Sequence, residues 1–314
     1  MKPRILVIRG GAIGDFILTL PAIKLLREAF PDAHLEILGY KHIIALAEGR
    51  FYADATRSIE YGPMSGFFVP GSELAEELVE YFTSFQQIIS YLYDPSGFFE
   101  GNLRRAGVRN ILRAYARIDD SEHAALQLAR PLQSMALYLE DHSSIVLPSE
   151  EDRAWAEQFL LNPGAEMIAI HPGSGSPRKN WPLANWSALG SIILNRNAHA
   201  RLLLIGGEAD GNQLESLDRA WADPRVSLAR DLPLPHLAAL LERCRFFVGH
   251  DSGISHLAAA VGARCLLLFG PTDPAVWGPV NPGVTTISAP NGDLGQLPID
   301  SVWAAIGNTD PPFG

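Results

Sequence analysis

Short apolar runs that read as buried strands alternate with amphipathic stretches along the chain. The alternation runs once to about residue 140 and then begins again near residue 166. A strand–helix period of this kind folds into a parallel sheet with helices on both faces, and two successive arrays imply two doubly wound sheets. The first array predicts strands at 4–9, 35–38, 57–61, 87–92 and 108–112. Its predicted helices are at 15–30, near 72–82, and at 122–139, with Pro131 kinking the last. The second predicts strands at 167–171, 201–205, near 226, 245–248 and 264–269, with helices at 183–195, 211–222, 234–243 and 252–261. Residues 148–164 carry charges, flanking prolines and a helical pattern, so the junction is predicted there. The resulting domains are 1–160 and 161–290, followed by a tail at 291–314 predicted to pack back on the first domain.

At 314 residues the chain is long enough for two cores. Its apolar runs fall well short of the ~20 residues that span a bilayer, and the N-terminal run reads as a strand rather than a leader, which predicts a cytoplasmic protein. The net charge of −10 argues against a general nucleic-acid binder. Cys244 and Cys265 make no disulfide framework, and no Cys/His cluster has metal-ligand spacing, so neither a metal nor a cofactor is expected.

The segment Gly249-His-Asp-Ser-Gly-Ile-Ser-His256 follows an apolar strand and opens a helix. A helix start of this kind presents backbone N–H groups to an anion, and diphosphates suit it well. Ser252, Gly253 and His256 are the candidates there, with Asp251 at the turn. Three other segments at predicted strand ends ask for a similar ligand. Ser174, Ser176 and Lys179 lie in the polar loop His171–Trp181, where hydroxyls, backbone donors and a cation fit a diphosphate. Glu208 follows Gly206-Gly207 and could accept from ribose hydroxyls. Thr272 and Asp273 sit in the turn Gly270-Pro-Thr-Asp-Pro274.

The first strand ends in Arg9-Gly-Gly-Ala-Ile-Gly14-Asp15. This departs from G-x-G-x-x-G, and the second strand has no terminal acid for a ribose, which disfavours a nicotinamide dinucleotide. Asp15 reads either as a helix cap or as a general base toward an acceptor hydroxyl. The chain has no Asp-x-Asp pair of the kind that holds a metal-bound nucleotide diphosphate, and no G-x-S-x-G.

Taken in order, these segments resemble the heptosyltransferase family, glycosyltransferase family 9. The resemblance rests on Arg9…Ile13-Gly14-Asp15…Pro21, His171-Pro-Gly…Lys179-Asn-Trp181…Trp186, Gly206-Gly-Glu208, Asp251-Ser-Gly…His256 and Phe269-Gly-Pro-Thr-Asp-Pro274. It implies a GT-B architecture of two Rossmann-like domains facing across a cleft, the first binding acceptor and the second the nucleotide-sugar donor. It further implies an inverting, metal-independent enzyme that moves heptose from ADP-L-glycero-D-manno-heptose to the lipopolysaccharide inner core. Asp15 would be the catalytic base, with Gly14, Thr272 and Asp273 at the cleft. Ser174, Ser176 and Lys179 would meet the donor phosphates, Glu208 the ribose, Asp251 the heptose hydroxyls, and Ser252, Gly253 and His256 the diphosphate end. Arg104, Arg105, Arg109 and Arg113, with Arg117 beyond, form a basic cluster expected to meet an anionic acceptor or the surface of the inner membrane. The alternatives are a GT-B transferase for another nucleotide sugar or glycan, and a relative that binds without turnover.

Overall fold

The computed structural model describes residues 2–115, 117–160 and 166–309. The chain divides into two compact units, Met1–His142 and Ser143–Gly314. In the first, the elements run β1 (Arg4–Arg9), α1 (Ile13–Ala29), β2 (His34–Gly39), α2 (Lys41–Ile44), β3 (Ala55–Ser58), α3 (Glu76–Thr83), β4 (Gln87–Ser90), α4 (Phe98–Arg105), β5 (Ile111–Arg113) and α5 (Ala124–Ala129). The strands form a parallel sheet in the order β3-β2-β1-β4-β5. Strand order reverses between β1 and β4, and ligands in open parallel sheets sit at the carboxyl edge of such a point. Apolar residues of the inner strands, Leu6, Ile8, Leu38 and Ile88, pack on Phe67, Phe82, Phe99 and Leu103 as one core. Strands buried on both faces read as continuous apolar runs, which made them legible. The helix expected over 122–139 is shorter: α5 ends at Ala129 and a 3₁₀ segment, Arg130–Met135, takes over where Pro131 stands.

The second unit contains α6 (Glu150–Phe159), β6 (Glu166–His171), α7 (Leu183–Arg196), β7 (Ala200–Gly206), α8 (Gly211–Trp221), β8 (Val226–Arg230), α9 (Leu234–Glu242), β9 (Phe246–His250), α10 (Gly253–Ala260), β10 (Cys265–Phe269), α11 (Pro274–Trp277), β11 (Val284–Ser288) and α12 (Ile299–Thr309). Its six strands are also parallel, in the order β11-β10-β9-β6-β7-β8. Here the reversal lies between β6 and β9, so the loops after these two strands share one edge.

One expectation is corrected. The boundary falls before α6 rather than at 160/161, because α6 belongs to the second unit. Ser149 caps α6, Arg153 bonds Glu242 at 2.8 Å, and Arg243 pairs with Glu157, so the charges read as a linker tie α6 to α9. The helix of the tail, α12, belongs to the second unit's own core. Val302 and Ile306 of α12 are buried with Trp181, Trp186 and Ile193, and Leu297 accepts the Trp181 indole N–H at 2.9 Å. The predicted residues 161–165 and 310–314 lie outside those described. Among the described residues, no helix is long and apolar enough to cross a membrane.

Candidate functional site

In the first unit, β1 delivers Arg9 and the chain turns through Gly10 and Gly11 into α1. Gly11 has φ +98°, and a Cβ there would lie 2.6 Å from Asp15 Oδ2, so glycine is required twice over. The Asp15 carboxylate accepts the Ala12 N–H at 2.9 Å, capping the helix start. Its side chain is nonetheless 43% exposed. Capping therefore uses one oxygen and leaves the carboxylate open to solvent. Gly14 sits beside it in the first turn of α1.

Arg9 is the residue that sequence reasoning left without a role. Its guanidinium is 8% exposed and fixes the start of α1. It donates to the Asp15 carbonyl at 3.0 Å and to Thr19 Oγ1 at 2.9 Å, and lies 3.5 Å from both the Tyr91 carbonyl and Asp15 Oδ1. Thr19 in turn donates to the Asp15 carbonyl at 2.7 Å. Burial pulls the Arg9 pKa down, and the Asp15 charge opposes that pull. An Arg at a strand end followed by a Gly-Gly turn was the available signal.

In the second unit, the loops after β6, β7, β9 and β10 supply the candidates. Lys179 Nζ lies 2.6 Å from Asp251 Oδ2, and the Thr272 hydroxyl donates to the same oxygen at 2.7 Å. Three residues from separate segments therefore meet at one carboxylate, which is 8% exposed while the lysine is 30% exposed. Asp251 leads directly into α10. Ser252 is the N-cap and accepts from Ser255 N at 3.3 Å. Helix geometry gives the Gly253 and Ile254 N–H groups no intrahelical partner. The result is an ammonium and two backbone donors at a positive helix end, a setting suited to an anion.

A buried polar layer supports this edge. Trp181 N–H donates to His250 Nε2 at 2.7 Å, so the other ring nitrogen carries the proton and faces the Gly173 carbonyl at 3.4 Å. Burial pushes the His250 pKa down to about 3, keeping the ring neutral. His171 lies 3.4 Å from Ser252 Oγ and 3.7 Å from Asp210 Oδ2. Asp210 also accepts the Gly207 N–H at 2.9 Å. Burial alone would raise the Asp210 pKa, but His171 and the Gly207 N–H outweigh it and hold the carboxyl below its ordinary value. A Cβ at Gly173 would fall 2.0 Å from Asp210 Oδ1, so this glycine lets the loop lie against the carboxylate. His171, Asp210 and His250 carry the site's framework, and sequence reasoning gave none of them that part.

The remaining candidates divide. Ser174 Oγ lies 2.7 Å from the Ser176 carbonyl and 2.6 Å from Asn180 Oδ1, which ties both serines into the loop. Glu208 is exposed in a one-turn 3₁₀ segment after β7. Asp273 caps α11 through Ala275 N at 2.8 Å, so turn chemistry explains it. His256 is 5% exposed within α10. The arginine cluster is partly spent internally. Arg104 and Arg113 share Glu100, and Arg105 donates to the Ser72 carbonyl, while Arg109 and Arg117 are exposed.

Two doubly wound parallel sheets, each with its polar loops at the carboxyl edge, define the GT-B class of glycosyltransferase fold. Residues 107–299, well over half of the chain, match the family model of glycosyltransferase family 9 (heptosyltransferase), and the chain belongs to that family of glycosyltransferases. It is similar to lipopolysaccharide heptosyltransferase 3 of Escherichia coli, with 24% identity over 311 residues, 91% of this chain and 88% of that one. With lipopolysaccharide heptosyltransferase 1 of Salmonella typhimurium, identity is 35% over 133 residues, 41% of this chain and 39% of that one. A crystal structure of a family 9 glycosyl transferase from Veillonella parvula superposes with a TM-score of 0.81 at 19% identity, covering 98% of each chain. Escherichia coli heptosyltransferase WaaC with ADP gives 0.73 at 18% identity, covering 98% of this chain and all of that one. The same enzyme with ADP-2-deoxy-2-fluoro heptose gives 0.70 at 19% identity, with the same coverage.

Proposed function

We propose that this enzyme moves heptose from ADP-L-glycero-D-manno-heptose to a lipopolysaccharide inner-core acceptor, with inversion and without a metal. The observation that carries the proposal is the meeting of Lys179, Asp251 and Thr272 at the head of α10. In this mechanism Lys179 and the first N–H groups of α10 offset the charge of the ADP diphosphate as it leaves. Ser174 and Ser176 line the phosphate loop, Glu208 holds the ribose, and Asp251 orients the sugar hydroxyls. Family membership supports this class of chemistry, as do the similar heptosyltransferases solved with ADP and an ADP-heptose analogue.

The first unit would bind the acceptor. Asp15, whose carboxylate is 43% exposed, takes the proton of the acceptor hydroxyl. That oxygen forms its bond to the anomeric carbon as the bond to the ADP oxygen breaks, on the opposite face. A single displacement inverts the anomeric centre. Arg9 fixes the Asp15 backbone and lies within ion-pair reach of its carboxylate. An acceptor of this kind is lipid-linked, so the exposed Arg109 and Arg117 would approach the inner-membrane surface from the cytoplasm.

Calorimetric titration with ADP, UDP and GDP in EDTA tests the donor side. Binding selective for ADP is expected. Preference for UDP or GDP would replace the donor, and a strict requirement for Mg²⁺ would overturn the metal-free mechanism.

A further inference from the structure

The first unit holds a cavity of about 190 Å³ at the carboxyl ends of β4 and β5, closed on one side by α4. It is smaller than the roughly 300–1,000 Å³ of drug-sized pockets, which suits one ring rather than a chain of them. Tyr93 and Tyr115 form its aromatic side, with ring centroids 5.2 Å apart and planes tilted by 51°. They are 66% and 40% exposed. The two rings contact each other, and the surface they leave open at the cavity mouth is well matched to the C–H face of a pyranose.

The polar lining narrows the class of ligand. Asp94 and Glu100 bring two carboxylates to the cavity, and Arg113 brings one guanidinium that is already paired with Glu100. Glu100 also accepts from Arg104 at 2.8 Å, and Asp94 accepts the Glu100 N–H at 3.0 Å. Both Glu100 oxygens are thus taken by arginines, and Asp94 is the lining carboxylate that can accept from a hydroxyl and repel a second carboxylate or a phosphate. The cavity also borders the turn that leads to the proposed base. Leu92, which lines it, lies against Gly10, where a Cβ would be 3.1 Å from Leu92 Cδ1. Arg9, which holds Asp15, reaches the Tyr91 carbonyl two residues before Tyr93.

We infer that this cavity seats one neutral pyranose ring of the acceptor glycan, with Tyr93 and Tyr115 as its stacking wall and Asp94 as its hydroxyl acceptor. Its assignment to the acceptor rests on the function proposed above. The anionic groups of such an acceptor are then held elsewhere than in this cavity.

Saturation-transfer NMR on the full chain tests it, with methyl α-mannopyranoside as the neutral probe and methyl glucuronide as the charged one. The neutral glycoside should receive saturation and the glucuronide much less. Tyr93→Ala and Tyr115→Ala should each weaken the neutral glycoside by about tenfold, and Tyr93→Phe should retain it, because the ring and not the hydroxyl does the stacking. ADP affinity, measured on each variant, reports that the second unit is intact. Equal or better binding of the glucuronide, or undiminished binding in both alanine variants, would overturn the inference. ADP binding with no response from the neutral glycoside would sink the cavity assignment and leave the donor proposal standing. Glycoside binding that depends on Tyr93, with no ADP binding, would do the reverse.

Discussion

Asp15 shows that a side chain can serve structure and stay placed for the proposed chemistry. Its carboxylate caps α1 through Ala12 N, yet stays 43% exposed, so the cap and the base are compatible rather than rival readings. His250 is a purely internal case with a pH signature. Its pKa is near 3 when folded and 6.5 unfolded, so below 6.5 the unfolded chain binds a proton that the native chain refuses. The stability it contributes is complete above pH 6.5 and is lost progressively toward pH 3. Between pH 7.5 and 5 the loss should be about 2 kcal/mol. Urea denaturation at the two pH values measures it, and His250→Gln should flatten the difference. An equal pH dependence in both proteins would mean that His250 is not buried neutral. His250 was visible in the sequence only as part of a turn. Its hydrogen bond to Trp181 N joins residues 69 positions apart, and no local pattern carries that.

Among the elements, the parallel strands and the long helices were legible because apolar periodicity marks them directly. The first predicted strand, 4–9, coincides with β1. Four short elements escaped: α2, α4, α11 and β11. The exposed face of α4 carries Arg104 and Arg105, and only eight residues form the helix, too few for a clear period. β11 is an edge strand of sequence VTTIS with little apolar signal. Sequence alone does not say what the tail packs against, and α12 joins the second unit's core. Ile306 is 1% exposed in the second unit's core, so Ile306→Ala should cost about 2–5 kcal/mol by chemical denaturation. A cost near zero would return α12 to the role of a loose tail. The loop before α7 offers a sharper test of function. Lys179→Met should weaken ADP by about tenfold to a hundredfold, the range for losing a charged hydrogen bond. A lower melting temperature with unchanged ADP affinity would make Lys179 only the counter-ion of Asp251.

For the whole molecule, net charge and sheet topology point to different things. A charge of −10 says what the protein does not bind in bulk, while its local basic residues sit in named places: Lys179 at the second sheet's carboxyl edge, Arg9 at the first. The segments at Arg9–Asp15, His171–Trp181 and Gly249–His256 begin at the ends of β1, β6 and β9, which flank the two reversal points, and Glu208 and Thr272–Asp273 follow the next strands out, β7 and β10, so motif order along the chain was enough to point to both edges. The geometry within each edge was not, since the Lys179–Asp251 pair and the Arg9–Asp15–Thr19 knot exist only after folding. The central claim joins donor binding in one unit to a carboxylate base in the other. Its most direct test is turnover of ADP-heptose on a truncated lipopolysaccharide in EDTA, comparing wild type with Asp15→Asn and titrating ADP into both. Wild type should form the inverted product, and the variant should lose about 10²–10⁴ in kcat while binding ADP as tightly. Turnover by the variant at the wild-type rate would show that Asp15 is a helix cap and that another group takes the proton.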